Sequence, residues 1–371
     1  MSPLQETLAE LVSIHSVTGN EGRLCTAIAE RMLPIWTMQS VIRIGNALVV
    51  GQQTGRPLIT LFGHLDTVPV QDNGEPVTVG GRMVGVGTAD MKSGLAVMVH
   101  LLEDDAVRTG PYDVVGVFYD REEGPADQNG LETVLDKAAW LAQSEFAIVL
   151  EPTDLGIELG CNGAMNAEVV FEGKAAHSAR PWLGENAVTK AGSWLAEMHE
   201  RAPEPVAIDG LEFREVFSVT KARGGIANNV LPAEMRVNLN YRFPPIYTLD
   251  EAEARLRSVA GEADRLIITD KAPAGAVVED NPHLDRLVAI TGAERQAKQG
   301  WTDVARLSGR GIPAVNYGPG DPALAHQAAE SVELANVDRA FEVLREFLID
   351  GQEDSSAELA ALLGDGDEDE T

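Results

Sequence analysis

Cysteine is scarce in this chain. Cys25 and Cys161 are the only two, too few for a disulfide framework, so a reducing, cytoplasmic setting is expected. Basic residues are also in short supply: 29 Lys and Arg stand against 58 Asp and Glu, a formal net charge of −29. That excess argues against nucleic acid or an anionic membrane as a partner. It also means that an anionic substrate needs arginines gathered at its site. No apolar run approaches the roughly 20 residues of a membrane span. The opening "MSPLQETLAELVSIHSVTGNEG" is acidic, and its Leu4, Leu8, Leu11 and Val12 recur at helical spacing, so it reads as an amphipathic helix and not a signal peptide. "GVGTAD" lacks the third glycine of a dinucleotide fingerprint, "DMKSG" lacks the phosphate-loop glycines, and no G-x-S-x-G elbow occurs.

What is present is an alternation of strands and helices. "NALVV", "PLITLF", "DVVGVFY" and "FAIVLE" read as strands; "MKSGLAVMVHLLED" and "LETVLDKAAWL" read as helices. This order predicts an α/β fold with a mostly parallel sheet covered on both faces, in which ligands bind beyond the carboxyl ends of the strands. From about Asn166 the pattern changes. "NAEVVFEG" and "EMRVNLNYRF" alternate like half-buried antiparallel strands. The α/β style returns after about Asn281, with "AVNYG" and the closing helix "VDRAFEVLREFL". The expected division is a discontinuous domain of residues 1–164 and 281–351, an inserted α+β domain of residues 165–280, and an acidic, disordered tail at 352–371.

The run "VVGVFYDREEGPADQNG" poses the chemical question. A buried strand ends in Asp120, Glu122 and Glu123. Adjacent carboxylates about 4 Å apart repel by about 4 kcal/mol at an effective dielectric near 20. Other strand ends carry similar groups: His64 and Asp66 in "LITLFGHLDTVP", Asp90 in "VGVGTADMKSG", Glu151 in "IVLEPTD" and His326 in "GDPALAHQAAES". Taken singly, each has an ordinary reading, as a polar strand end, a solvated acid pair or, for Asp90, a helix N-cap. Together they fall on the one edge where such a sheet presents its site. Sets of His, Asp and Glu without cysteine suit zinc, cobalt or manganese, not a sulfur-ligated structural zinc. Two divalent cations would neutralise the cluster, with one of the paired glutamates on a metal and its neighbour free to accept a proton. His15, His100, His199 and His283 lie in helical or loop contexts away from these motifs and read as structural.

"GHLDTVP", "GVGTADMKSG", "REEGP", "LEPTD" and "AHQAAES", in that order, resemble the di-zinc aminoacylase/carboxypeptidase amidohydrolases. "GKAAHSARPWLGENAV" and "NNVLPAE" resemble the lid and dimerisation insert of that family, and the likeness runs over about residues 5–348. The resemblance implies a pair of divalent ions, zinc before cobalt or manganese. His64, Asp90 and Glu151 would hold one ion; Asp90, Glu123 and His326 would hold the other. Asp66 would orient the His64 imidazole and Glu122 would be the general base. His177 would reach across a homodimer to stabilise the oxyanion.

Within the family, "AHSARPWLGENA", "GIANNVLPAEMRVNLNYRF" and "GWTDVARLSGRGIPAVNYGPGDPALAH" are most similar to the branch that removes succinyl groups from diaminopimelate. Such a substrate is a small, strongly anionic N-acyl amino acid. Arg180, Arg242 and Arg306 are the candidate carboxylate partners, with Asn229 and Thr302 beside them. The rival reading is deacetylation of N-acetylornithine or cleavage of another N-acyl amino acid or dipeptide. A silent ligand-binding homologue is more remote, because Glu122, His326 and His177 are all present.

Overall fold

The computed structural model describes residues 1–350; the acidic tail expected at 352–371 lies outside the described residues. An eight-stranded sheet forms the first unit, in the order Val41–Ile44, Ala47–Val50, Asp113–Tyr119, Leu58–His64, Phe146–Val149, Ala314–Asn316, Ile157–Leu159, Arg295–Ala297. Its centre is parallel: Leu58–His64 pairs in that sense with both Asp113–Tyr119 and Phe146–Val149, and Ala314–Asn316 with Phe146–Val149. The flank that begins at Ala47–Val50 is antiparallel, so the sheet is mixed. Leu58–His64, Asp113–Tyr119 and Phe146–Val149 are buried along their whole length, which is why they read as continuous apolar runs. Successive side chains alternate between two cores. Ile59 and Leu61 pack under the helices Pro3–Ser13, Ser93–Glu103 and Leu334–Ile349, whereas Leu58 and Phe62 pack with Leu131, Val134 and Leu307 on the other face.

The chain leaves this unit at Cys161 and re-enters at Gly275, and the two crossings are hydrogen-bonded to each other in both directions, at 3.1 and 3.0 Å. Between them lies a five-stranded antiparallel sheet in the order Glu204–Ile208, Leu211–Gly224, Glu234–Phe243, Gly163–Glu172, Arg265–Ala272. The helices Gly192–Glu200 and Leu249–Ala260 cover one face, burying Trp194, Leu256, Val237 and Leu239. The other face carries Asn166, Asn240 and Arg242. A third sheet, Val77–Val79 with Arg82–Val84 and Ser331–Glu333, was not foreseen. Its strands are three residues each, too short for periodicity to show.

Glu215 is the one acid buried in the second unit. Tyr241 Oη donates to its Oε1 at 2.5 Å, and Arg255 donates through Nε and Nη2 at 2.7 and 2.5 Å. Burial alone would raise the carboxyl; the donors outweigh it and hold Glu215 below its ordinary 4.5. A depressed folded-state value stabilises above the unfolded pKa and the benefit is lost as pH falls through the folded one. Glu215→Gln is therefore expected to lose about 1–3 kcal/mol near neutrality and to show a flatter acid limb. Urea midpoints near pH 7 and about pH 4 read this; parallel loss in both proteins would show that the carboxylate contributes nothing.

Candidate metal centre

The acidic groups sit where three parallel strands end. His64 closes Leu58–His64, the pair Glu122 and Glu123 follows Asp113–Tyr119, and Glu151 follows Phe146–Val149. Asp90 comes from the irregular turn before Ser93–Glu103, where the Asp90–Met91 peptide is cis. Its side chain does not cap that helix; it points into the cluster. His326, with φ of 61°, comes from the loop after Ala314–Asn316. Two glycines let this loop approach. A Cβ at Gly320 would lie 2.3 Å from the Ala89 carbonyl oxygen, and one at Gly318 would lie 2.4 Å from that of Glu151. Any larger residue would push the loop off the backbone that carries two of the acids.

Asp90 is the centre of the arrangement. Its Oδ1 lies 3.1 Å from His64 Nε2, and its Oδ2 lies 3.2 Å from His326 Nε2. His64 Nε2 is 3.9 Å from Glu151 Oε1, and His326 Nε2 is 2.8 Å from Glu123 Oε1. The donor atoms of His64, Asp90 and Glu151 all lie within 4.8 Å of one another, as do those of Asp90, Glu123 and His326. Glu122 forms a third such group with His64 and Glu123. Two trios thus share one carboxylate that offers an oxygen to each.

Asp66 works mainly through backbone. Its Oδ1 and Oδ2 accept the N–H groups of Glu122 and Glu123 at 2.9 and 3.0 Å. His64 Nδ1 is 3.0 Å from the Asp66 carbonyl oxygen and 3.6 Å from its carboxylate. The imidazole is thus oriented chiefly by the main chain, with Nε2 turned to the cluster. Glu330, buried, holds Asp90 similarly: its Oε1 accepts the N–H groups of Ala89 and Asp90 at 2.9 and 3.1 Å. Lys298 Nζ donates to the Pro152 carbonyl at 2.9 Å and so steadies the turn after Glu151. Neither Glu330 nor Lys298 was found from sequence, although Glu330 lies inside the quoted "AHQAAES" segment.

The residues present suit a divalent pair. Among the described residues, no Lys or Arg forms an ion pair with Asp90, Glu122, Glu123 or Glu151; their close partners are the two imidazoles. Glu151 Oε1 is buried without a hydrogen-bond partner. Burial, with the field of Asp90, pushes Glu151 up to about 8. Burial drives Glu122 well above the ordinary range, and its acidic neighbours add to the effect. The hydrogen bonds that its ring donates to the Asp90 and Glu123 carboxylates push His326 up to about 11. Burial would lower His64, but Asp90, Glu151 and Glu122 raise it well above 6.5. Protons on the imidazoles thus take the place of cations, as donor sets that bind metal do when they compete with protons.

The cluster opens into a cavity of about 240 Å³ lined also by Asn166, Arg242, Asp270 and Trp301. Of the expected substrate residues, only Arg242 lines it. It forms no ion pair among the described residues, and its Nε donates to Asn240 at 3.3 Å. Arg306 does not line the cavity. Its guanidinium binds Asp303, Glu132 and the Ala126 carbonyl, at 2.8, 2.9 and 2.6 Å, and Trp301 stacks over it at 5.2 Å. Asp303 is buried, and one side chain must balance its charge. Thr302 is buried, and its carbonyl accepts from Cys161 Sγ at 3.4 Å. His177, Arg180 and Asn229 lie exposed on loops of the second unit, outside the cavity; His177 pairs with Val230, and Ser178 N–H donates to the Asn229 carbonyl at 3.0 Å.

The sequence profile described as Peptidase family M20/M25/M40 matches residues 60–350. A protein of Mycobacterium tuberculosis named "Putative succinyl-diaminopimelate desuccinylase DapE" is 38% identical over 345 residues, 92% of this chain and 97% of that one. The Corynebacterium glutamicum succinyl-diaminopimelate desuccinylase is 36% identical over 356 residues, covering 91% and 94%. Among solved structures, the Sulfolobus solfataricus M20 metallo-carboxypeptidase Sso-CP2 superposes with a TM-score of 0.74 at 14% identity, covering 94% and 99%. The Bacillus subtilis YXEP protein, described as a dinuclear metal-binding M20 peptidase, gives 0.65 at 14%, covering 93% and 96%. With its acid-rich strand ends, its shared central aspartate and these matches along most of its length, the chain belongs to peptidase family M20/M25/M40.

Proposed function

We propose that this chain hydrolyses N-succinyl-LL-2,6-diaminopimelate to succinate and LL-2,6-diaminopimelate, as a cytoplasmic homodimer that holds two divalent ions, zinc by preference and cobalt or manganese as substitutes. The observation that carries the reading is the pair of ligand trios sharing Asp90, with Glu122 beside them, in a chain whose relatives bear the desuccinylase name. His64, Asp90 and Glu151 would hold one ion and Asp90, Glu123 and His326 the other. Such a pair supplies Lewis-acid polarisation of the amide carbonyl and acidifies water.

The chain's own residues do the rest. Glu122 accepts a proton from the attacking water and delivers it to the departing nitrogen as the C–N bond breaks. Its raised affinity for protons suits both steps. Asp66 keeps Glu122 and Glu123 in place by holding both backbone N–H groups. His177 Nδ1 accepts the Ala179 N–H at 3.0 Å, so its Nε2 is left as the donor that an oxyanion needs. Because His177 and Asn229 lie outside the cavity of their own chain, they would serve the site of a second subunit, with Arg180 beside them. The uncovered Trp182, Leu183 and Ile226 of the same unit, at 75%, 55% and 91% exposure, support such a contact. Arg242, half-buried in a cavity lined by acids and without an ion pair among the described residues, is the natural partner for a substrate carboxylate.

The test is product release by the zinc-loaded full-length chain. Succinate should appear from the succinyl substrate at least about tenfold faster, in kcat/KM, than acetate from N-acetylornithine. The reverse order would favour the deacetylase reading, and no hydrolysis of either would end the proposal.

A further inference from the structure

The strand Arg265–Ala272 is not regular. Along its ladder with Gly163–Glu172, Ile267 faces Glu168 and Ile268 faces Ala167, but the next pair is Asp270 with Asn166. Thr269 is the extra residue of a β-bulge. Strand side chains alternate between faces, so a one-residue slip exchanges them. Without the bulge, Asp270 would share the face of Leu266 and Ile268, which pack on the apolar core beneath the sheet. A carboxylate there would lack partners and destabilise the fold. With the bulge, Asp270 joins Ala164, Asn166, Arg242 and Ala272, all of which line the cavity above the metal cluster. The bulge therefore re-aims one acid into a site already crowded with acids, which calls for a function.

Asp270 is not part of that cluster. It belongs to none of the three ligand trios. Among the described residues, its carboxylate makes no ion pair and accepts no hydrogen bond, although it is half-buried. It shares the cavity with Arg242, which has no ion-pair partner either. Burial pulls the Arg242 guanidinium down, and Asp270 is among the groups that oppose it. The ring of Trp301 lines the same cavity, held by its Nε1 donating to the Pro273 carbonyl at 2.9 Å. One cavity thus offers a fixed cation, a fixed anion and an apolar wall, the complement of a chain of methylene groups that carries charges of both signs.

We propose that Asp270 receives a cationic amine on the side chain of the substrate, away from the scissile amide, so that the site selects N-acyl amino acids bearing a distal ammonium over those without one. This deepens the amide-hydrolase reading and rests on it, but not on which acyl group is removed.

The experiment compares two substrate pairs on the zinc-loaded full-length chain: N-succinyl-LL-2,6-diaminopimelate against its analogue lacking the 6-amino group, and N-acetylornithine against N-acetylnorvaline. In whichever pair is hydrolysed, the ammonium-bearing member should be favoured at least about tenfold in kcat/KM, the scale of a hydrogen bond to a charged group. Asp270→Asn should bring the ratio to within about threefold of unity by slowing the ammonium-bearing member while the other keeps its rate; Asp270→Ser provides a second variant should the first fail to fold. The preference is also readable without turnover, as the ratio of Kd values for LL-2,6-diaminopimelate and 2-aminopimelate by calorimetry. A chain that hydrolyses nothing yet keeps that ratio retires the proposed function and leaves the subsite standing. A ratio near one in the native protein, or a preference that survives Asp270→Asn, overturns the subsite even if the succinyl substrate is cleaved.

Discussion

Replacing Glu122 with Gln should lower kcat by about 10²–10⁴-fold, the share that a positioned general acid–base group contributes. The change is isosteric and neutral. The two backbone N–H groups that Asp66 holds are untouched, so the loop keeps its shape. The trios of Asp90 with His64 and Glu151, and with Glu123 and His326, do not include Glu122, so metal content should not change. What is lost is a carboxylate whose proton affinity is raised first by burial and then by Glu151, Glu123 and Asp303 against the opposing His64. Steady-state kinetics with metal analysis checks this: a variant that keeps its rate within about threefold would remove Glu122 from the reaction, and one that loses metal would place it among the ligands. Glu123→Gln should behave in the opposite order, losing metal first, because Glu123 stands 2.8 Å from His326 within a ligand trio.

Stripping divalent ions with a chelator should abolish turnover and lower Tm, both being restored by added zinc. The thermal arm does not depend on activity. A ligand that binds only the folded chain stabilises it by about 4 kcal/mol at a thousandfold excess over Kd, which for a chain of this size is a shift of several degrees. The direction with pH also follows. In the stripped cluster the imidazoles carry the positive charge, His326 being pushed up to about 11 by its bonds to Asp90 and Glu123. Metal must displace those protons, so its apparent affinity should rise with pH and its binding should release protons into a weakly buffered solution. Calorimetry in two buffers of different ionisation enthalpy reads the proton count. An unchanged Tm on chelation, with no protons released on reloading, would contradict the assignment of these side chains as ligands.

The residue kinds that make the centre were legible because chemistry confines them. A carboxylate or imidazole at the end of a buried parallel strand stands out against an apolar run, and His64, Glu122, Glu123 and Glu151 all do so. Asp90 and His326 needed the neighbouring motifs as well, since each sits in a loop without periodicity. The arginines were harder. Arg242 and Arg306 both lie in recognisable segments, yet one faces the cavity and the other balances the buried Asp303. Nothing local separates them, because which carboxylate an arginine meets depends on elements far apart in the chain. Glu330 and Lys298 escaped for the same reason: each acts on a backbone group contributed by another segment.

By itself the sequence determined the alternation of elements in the large sheet, the strands Gly163–Glu172 and Glu234–Phe243 of the second, and the supply of nitrogen and oxygen donors, since periodicity and composition are local properties. Only the tertiary structure decided that Asp90 would face both imidazoles, that the flank of the large sheet would run antiparallel, and that Thr269 would stand outside its ladder and turn Asp270 inward. Those outcomes depend on register and on contacts between distant segments, and a single slipped residue reverses the face on which a charge appears.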